Sequence, residues 1–397
     1  MKKRVMILGA GVFQLPLIQK AKEMGYETVV VSYAGSYPGI PLADIFLDID
    51  TTNIDKILDA ARTYKIAGIV TTGTDVSVPT LGAVVDALGL RGPTQWMART
   101  ASSKTSFRTL LRENGLRHPD FSVCRSADDV QIFARRSSRK IVVKPDDSSG
   151  SRGVSVLDKN PAEETVMNAW QKARHFSRNG LVCAETFIHG TEVGGDAFFK
   201  DGKLHFLGTT AKHLTGVIVQ GHSFPGTLTS FESRLIENEI ASVAAAFGYT
   251  DGPMNFDVMV NETGVTVLEI GLRNGGNGIP DLIRHNRGVD LLAWTLEHAL
   301  EGSLSEAQVS STPQEISSYI FGSSRSGRLL EVSNIQSLQA EVPQIISMAL
   351  AKIPGDLVNE FTHNAHLVGY LLIHCGAGDY NEITSRIREV LKVTVEA

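Results

Sequence analysis

Cysteine is scarce in this sequence: the 397 residues include three, Cys124, Cys183 and Cys375, far apart and without C-x-x-C spacing. That excludes a disulfide framework and a cysteine zinc site, and makes a reducing cytoplasm the expected compartment. Long apolar runs are missing too. None reaches the roughly 18 residues that a spanning helix requires, so a soluble chain with no membrane partner is expected. Lys2-Lys3-Arg4 ahead of an apolar stretch has the outline of a leader, but glycines, Gln14 and Pro16 interrupt it and no small-residue cleavage site follows, so it reads as a first strand. An excess of one charge is also lacking: a net charge of -5 and a pI near 6.1 leave no electrostatic footprint for nucleic acid. No G-x-x-x-x-G-K-[ST] occurs, which excludes a P-loop. Gly9-Ala10-Gly11 ends the first strand as a dinucleotide-binding turn would. Gln14, however, stands at the third glycine position, and Val31-Ser32-Tyr33 closes the second strand without a ribose-binding acid, which disfavours a nicotinamide oxidoreductase.

What is present is glycine, 37 residues of it, in a chain that is 42% hydrophobic and 20% charged. At about 100 to 200 residues per domain the length predicts two or three domains. From residue 4 to about 95, short apolar runs at 5–8, 28–32 and 68–71 alternate with amphipathic stretches at 15–24, 54–64 and 79–88, the rhythm of a parallel sheet flanked by helices. Near Gly92-Pro93-Thr94 the rhythm changes. A helix over 104–114, strands at 140–144 and 181–187, a helix at 161–176, two strands after Pro253 and a helix at 290–301 then predict an α+β module. A polar connector at 303–313 leads to a small C-terminal α+β unit. The expected division is therefore 1–95, 96–305 with a lid at about 120–187, and 306–397.

Three stretches carry chemistry. In the first, an apolar strand ends in Lys144-Pro145 and runs into Asp146-Asp147-Ser148-Ser149-Gly150-Ser151-Arg152-Gly153. Such a loop of small residues lets backbone N–H groups and one ammonium surround a polyphosphate, although a flexible turn with a solvated lysine fits equally. The second, from Asp257 to Glu269, looks like a hairpin. With Glu262, Thr263 and Gly264 as a three-residue loop, Asn261 pairs with Val265 and Asp257 falls opposite Glu269. Cross-strand Cβ atoms lie about 4.5 to 5.5 Å apart, so two carboxylates there call for a cation, and magnesium on phosphate oxygens would supply it. A register slipped by one, or two solvated acids, is the alternative. The third is Glu269-Ile270-Gly271-Leu272-Arg273-Asn274-Gly275-Gly276, where an arginine before a glycine cluster is suited to gripping a carboxylate or a transferring phosphoryl group. Glu185 and Glu192 are read as flanking a tight turn between paired strands, where they would meet an adenine amino group and ribose hydroxyls or simply solvent.

In this order the motifs resemble the ATP-grasp superfamily, whose two α+β subdomains close on ATP, and the resemblance covers most of the chain. It implies that Lys104 and Lys144 contact the α and β phosphates and that Ser149, Gly150, Ser151 and Gly153 cover the γ phosphate. Glu185, Phe187 and Ile188 would hold adenine, Glu192 the ribose, Asp257 and Glu269 the magnesium (or manganese), and Arg273 the reacting group. The N-terminal unit, with Gly73-Thr74-Asp75, is similar to the first domain of purine-biosynthetic carboxylases and glycinamide ligases; the C-terminal unit is similar to that of L-amino acid ligases. Gly271 departs from the usual E-x-N-x-R, leaving Asn274 or water as ligand for a second metal, and the E-x-G-x-R-x-G-G form is similar to amino acid and dipeptide ligases.

The resemblance implies an ATP-dependent ligase that joins a small-molecule carboxylate to an amine through an acyl phosphate. A homodimer is the expected assembly. The rivals are a purine-pathway ligase acting on a ribonucleotide and a non-catalytic ATP-binding regulatory protein. Lys212 and His213 lie where substrate-proximal residues are expected, with a structural role for His213 equally in view.

Overall fold

A computed structural model describes residues 2–216, 218–307, 314–376 and 380–396. The alternating rhythm of the first 95 residues folds into a parallel sheet, in the order Ile45–Asp48, Glu27–Ser32, Arg4–Leu8, Gly68–Val70. Helices Leu15–Glu23, Ile54–Tyr64 and Val78–Leu88 follow the periodicity closely. Each starts where the sequence supplies a signal: Pro16 and Pro79 sit in the first turn, and Asn53 caps its helix by accepting from Lys56 N. The Gln14 side chain folds into the glycine turn, accepting from Gly11 N at 3.0 Å and donating to the Thr72 carbonyl.

Residues 121–186 form an antiparallel four-stranded sheet, ordered Phe121–Cys124, Val182–Thr186, Ile141–Pro145, Ser155–Leu157. One face buries Ile141 and Val143 against helices Ala127–Arg136 and Glu163–Phe176; the other turns Val142 and Lys144 toward a cleft. This alternation is the period of two expected of a strand with one covered face.

Opposite stands an eight-stranded sheet: Gly264–Gly271, Gly252–Asn261, Thr191–Lys200, Lys203–Thr215, Ile218–Phe224, Ile316–Gly322, Leu367–His374, Ile345–Leu350. Helix Ser230–Phe247 and the helices Gln95–Ser102 and Lys104–Glu113 pack on one face, and helices Ile279–Arg287 and Leu291–Glu301 on the other. Fully buried Phe198, Phe199 and Phe256 each contribute about 1.5 to 3 kcal/mol of apolar burial. Three strands of the C-terminal segment continue this sheet, starting from the pairing of Ser223 with Ser317, while Leu357–Val358, Gly327–Val332 and Val393–Glu396 form a small sheet of their own. Residues 308–313 of the expected connector lie outside the described residues.

Two sequence expectations need correction. Glu185 and Glu192 do not flank a turn between paired strands: Val182–Thr186 belongs to the smaller sheet and Thr191–Lys200 to the larger, so residues 187–190 cross between the two bodies. The hairpin also turns differently. Asn261 pairs with Gly264 across a two-residue turn, Glu262 and Thr263, which Asn261 Oδ1 caps by accepting from Thr263 N at 3.0 Å. That register alone would set Asp257 opposite Leu268. A bulge intervenes: Val258 pairs with Val267 but Asp257 pairs with Glu269, leaving Leu268 as the extra residue.

Candidate active site

The two bodies enclose a cleft of about 790 Å³. Its floor is the bulged hairpin, which brings Asp257 and Glu269 face to face, with Leu268 turned to the same side. Arg108 Nη2 donates to the Leu268 carbonyl at 2.7 Å, securing the bulge from helix Lys104–Glu113. Burial pushes the Asp257 carboxyl above the usual carboxylate range, with Glu192 and Glu269 adding to the rise against the opposing pull of Lys212. A pair of acids so loaded suits a divalent cation. Among the described residues no cluster of three or more His, Cys, Asp or Glu could hold a metal, so any ion on Asp257 and Glu269 must complete its shell with phosphate oxygens and water, as magnesium does. Asn274 does not offer itself as a further ligand. Its side chain is buried behind the floor, with Oδ1 accepting from Thr295 Oγ1 at 2.7 Å.

The roof is the loop 148–153. Gly150, Ser151 and Gly153 adopt left-handed φ values of 70, 58 and 74°, which turns the backbone back over the cleft. Ser149, Gly150 and Ser151 line it; Gly153 supports them from behind, packed so closely that a Cβ there would sit 2.8 Å from Pro145 and 3.0 Å from Phe176. Lys104 starts its helix beneath this loop and donates to the Ser148 carbonyl at 2.7 Å, 3.7 Å from Glu269. Asp146, fully buried, fixes that junction by accepting from Ser103 Oγ and Thr105 N, both at 2.8 Å.

Lys144 reaches the cleft paired to Glu185, whose other oxygen accepts from Arg108 Nε at 3.1 Å. Burial alone would raise the Glu185 carboxyl, but Arg108 and Lys144 outweigh it and hold it at about 2. With both oxygens engaged, Glu185 orients Lys144. Phe187, Ile188 and Glu192 line the same end of the cleft. Lys212 bridges Glu192 and Asp257, at 2.6 Å from each; burial opposes its charge, yet the two carboxylates keep its pKa above the usual ammonium value. His213 points away. Its ring stacks on Tyr380 at 3.4 Å and its Nε2 pairs with Ser223 Oγ at 2.7 Å.

At the far end Arg273 Nη2 donates to Asp75 Oδ2 at 2.7 Å. Asp75 belongs to the N-terminal unit, and a glycine at 271 is what lets it approach: a Cβ there would lie 2.6 Å from Asp75 Oδ1 and 3.0 Å from Arg273 Cζ. Asp196, fully buried, fastens the following loop by accepting from Gly275 N at 2.8 Å and Asn255 Nδ2 at 2.9 Å, and burial lifts its carboxyl to about 6. The structure thus gathers Lys104, Lys144, Ser149, Gly150, Ser151, Glu185, Phe187, Ile188, Glu192, Asp257, Glu269 and Arg273 around one cleft, with Gly153 just behind it. Sequence reasoning missed Arg108, Asp146, Asp196 and His222, a buried cleft-lining imidazole beside Thr210. Only Asp75 had a local signal, lying in Gly73-Thr74-Asp75 after a strand.

The profile of the ATP-grasp domain matches residues 101–277. An L-arginine-specific L-amino acid ligase of Bacillus subtilis is 24% identical over 72% of this chain and 70% of its own length. The crystal structure of an L-amino acid ligase from Bacillus licheniformis superposes with a TM-score of 0.83 at 18% identity, covering 100% of this chain and 99% of that one. A phosphoribosylglycinamide synthetase from Anaerococcus prevotii gives 0.78 at 20% identity, covering both chains fully. At such identities the two structures speak for the fold.

Proposed function

We propose, from the match of residues 101–277 to the ATP-grasp domain, that the chain is an ADP-forming ligase joining a carboxylate, an amino acid in the first instance, to an amine. The observation that carries the proposal is the Asp257–Glu269 pair facing the cleft beneath the 148–153 loop. Asp257 and Glu269 would hold magnesium or manganese, which when bound neutralises charge on the triphosphate. Lys104 and Lys144 would meet the phosphates, with the loop excluding water above them.

In the first step a substrate carboxylate oxygen attacks the γ phosphorus, the bond to the β-phosphate oxygen breaks, and ADP leaves. Arg273 supports the charge spread over the transferring group. The acyl phosphate then takes the lone pair of a neutral amine at its carbonyl carbon; phosphate departs and the nitrogen sheds a proton. The L-amino acid ligase relatives favour amino acid substrates. A ribonucleotide substrate is the second reading, since a formate-dependent phosphoribosylglycinamide formyltransferase of Synechococcus sp. is 28% identical over 47% of this chain and 48% of its own length.

The test is phosphate release from ATP and magnesium with pools of amino acids, small acids and ribonucleotides, with product identified by mass. Glu269→Gln is expected to lower ADP formation by about 100-fold or more while the fold survives. Undiminished turnover in that variant refutes the metal assignment, and stimulation by ribonucleotides alone selects the second reading.

A further inference from the structure

Resting on the ligase reading, we propose that the acid substrate carries an uncharged apolar side chain, aliphatic or aromatic, and that Phe13, Val219, Ile279 and Leu367 form the subsite that selects it. All four line the cleft, and all four belong to one hydrophobic cluster that has Ile279 and Tyr370 buried in it and Phe13, Val219 and Leu367 half-buried against it. They come from distant parts of the chain. Phe13 lies in the turn after strand Arg4–Leu8, Val219 in strand Ile218–Phe224, Ile279 at the start of helix Ile279–Arg287 and Leu367 at the start of strand Leu367–His374.

Phe13 is seated on glycine. A Cβ on Gly73 would lie 2.5 Å from Phe13 Cβ, and one on Gly276 would lie 3.5 Å from Phe13 Cδ2 and 3.4 Å from Gly73 Cα. Its ring tilts against that of Tyr370, with centroids 5.7 Å apart. The same glycines tie it to the reacting end of the cleft: Gly73 N donates at 3.0 Å to the carbonyl of Asn274, the residue after Arg273. Val219 is fixed from the C-terminal segment. Its N donates to Asn364 Oδ1 at 3.2 Å and its carbonyl accepts from Asn364 Nδ2 at 2.7 Å. An acid whose carboxylate meets Arg273 therefore has an ordered apolar wall beside it, and a hydrocarbon side chain gains free energy by covering that wall.

Charge balance points the same way. Asp75 is paired with Arg273, Glu185 with Arg108 and Lys144, Glu192 and Asp257 share Lys212, and Glu269 has Lys104 at 3.7 Å. Among the described residues these are all the acids that line the cleft. A guanidinium or ammonium on the substrate side chain would enter with no free carboxylate to meet it, which is costly. An acidic side chain fares no better at this wall. The nearby imidazole of His222, 3.4 Å from Asn277 Nδ2, is kept neutral by burial, and Arg152 stands on the roof loop with its Nε donating to the Ser149 carbonyl at 3.0 Å.

The experiment measures ADP release by the full chain with ATP, magnesium and hydroxylamine, which captures an activated acyl group, so that the acid alone varies. Leucine, methionine and phenylalanine are compared with alanine, arginine, lysine and glutamate, and with ribonucleotides alongside. Wild type is expected to favour the large apolar acids in kcat/KM by about 30-fold over alanine and by about 100-fold over the charged acids. Phe13→Ala should raise KM for the large apolar acids by about tenfold, with kcat and KM for ATP nearly unchanged and alanine almost unaffected. An equal loss for alanine and the large acids makes Phe13 only a support for Tyr370 and overturns the subsite. Should the variant fail to fold, as read by thermal unfolding, wild type decides alone: a charged acid or a ribonucleotide used as well as leucine overturns the subsite and leaves the ligase reading standing. A wild type that releases no ADP with any acid or ribonucleotide overturns the ligase reading itself, and the subsite with it.

Discussion

Glu185 shows how far a residue's role depends on partners distant in the chain. Arg108 is 77 positions away and Lys144 is 41, yet together they hold its carboxyl at about 2 against an ordinary 4.5. Between those pH values the unfolded chain binds the proton and the folded chain does not. The stabilisation is therefore complete above pH 4.5 and is lost as pH falls toward 2, an effect on the order of 3 kcal/mol. Urea unfolding of wild type at a series of pH values should show that decline, and Glu185→Gln should be less stable at pH 7 with a flatter slope below 4.5. A variant with the wild-type slope would show that another group sets the acid limit. At this scale the sequence discloses a residue when its neighbours in the chain carry the signal. Lys144 at a strand end before a loop of small residues, and Arg273 before a glycine cluster, were legible in that way. Asp75 meets Arg273 across 198 positions, and Lys212 sits between acids on two other strands, so neither pairing could be read from spacing.

Among the elements, the hairpin is the instructive case. Its outline as a hairpin was readable in the sequence, and the facing of Asp257 and Glu269 was expected, but through the wrong loop. A shorter turn shifts the register by one step and the bulge at Leu268 shifts it back. The bulge leaves no local signature because its support, Arg108, comes from a helix 160 residues earlier. The roof loop was legible from its glycines, and it carries its own prediction. Gly153→Ala forces a side chain into a left-handed conformation, costing about 1 to 2 kcal/mol, and into contact with Pro145 and Phe176. KM for ATP should rise by about tenfold. Gly25→Ala, equally left-handed at φ 81° but with nothing within 4 Å of the added carbon, should leave KM for ATP unchanged. Equal effects from the two substitutions would mean that the loop contributes only stability.

For the molecule as a whole, the alternating first quarter and the α+β remainder were readable from periodicity, because local patterns set local elements. The way those elements share a sheet was not. The pairing of Ser223 with Ser317, which carries the large sheet into the C-terminal segment, is a long-range contact without a sequence signal. Its consequence is a cleft built by every part of the chain: Asp75 from the N-terminal sheet, Ser149 and Lys144 from the roof, Asp257 and Glu269 from the floor. Asn364 from the C-terminal segment completes it, donating to the Val219 carbonyl at 2.7 Å. Among the described residues no helix is long and apolar enough to cross a membrane. The claim on which the rest depends is that Asp257 and Glu269 jointly take a divalent ion that steadies the nucleotide's phosphates. The most direct test is binding of manganese to the full chain, followed by electron paramagnetic resonance, with and without a non-hydrolysable ATP analogue. Wild type should bind the ion far more tightly when the analogue is present, and Asp257→Asn or Glu269→Gln should weaken that nucleotide-dependent binding by roughly 100-fold. Manganese bound equally well by wild type and both variants would contradict the account.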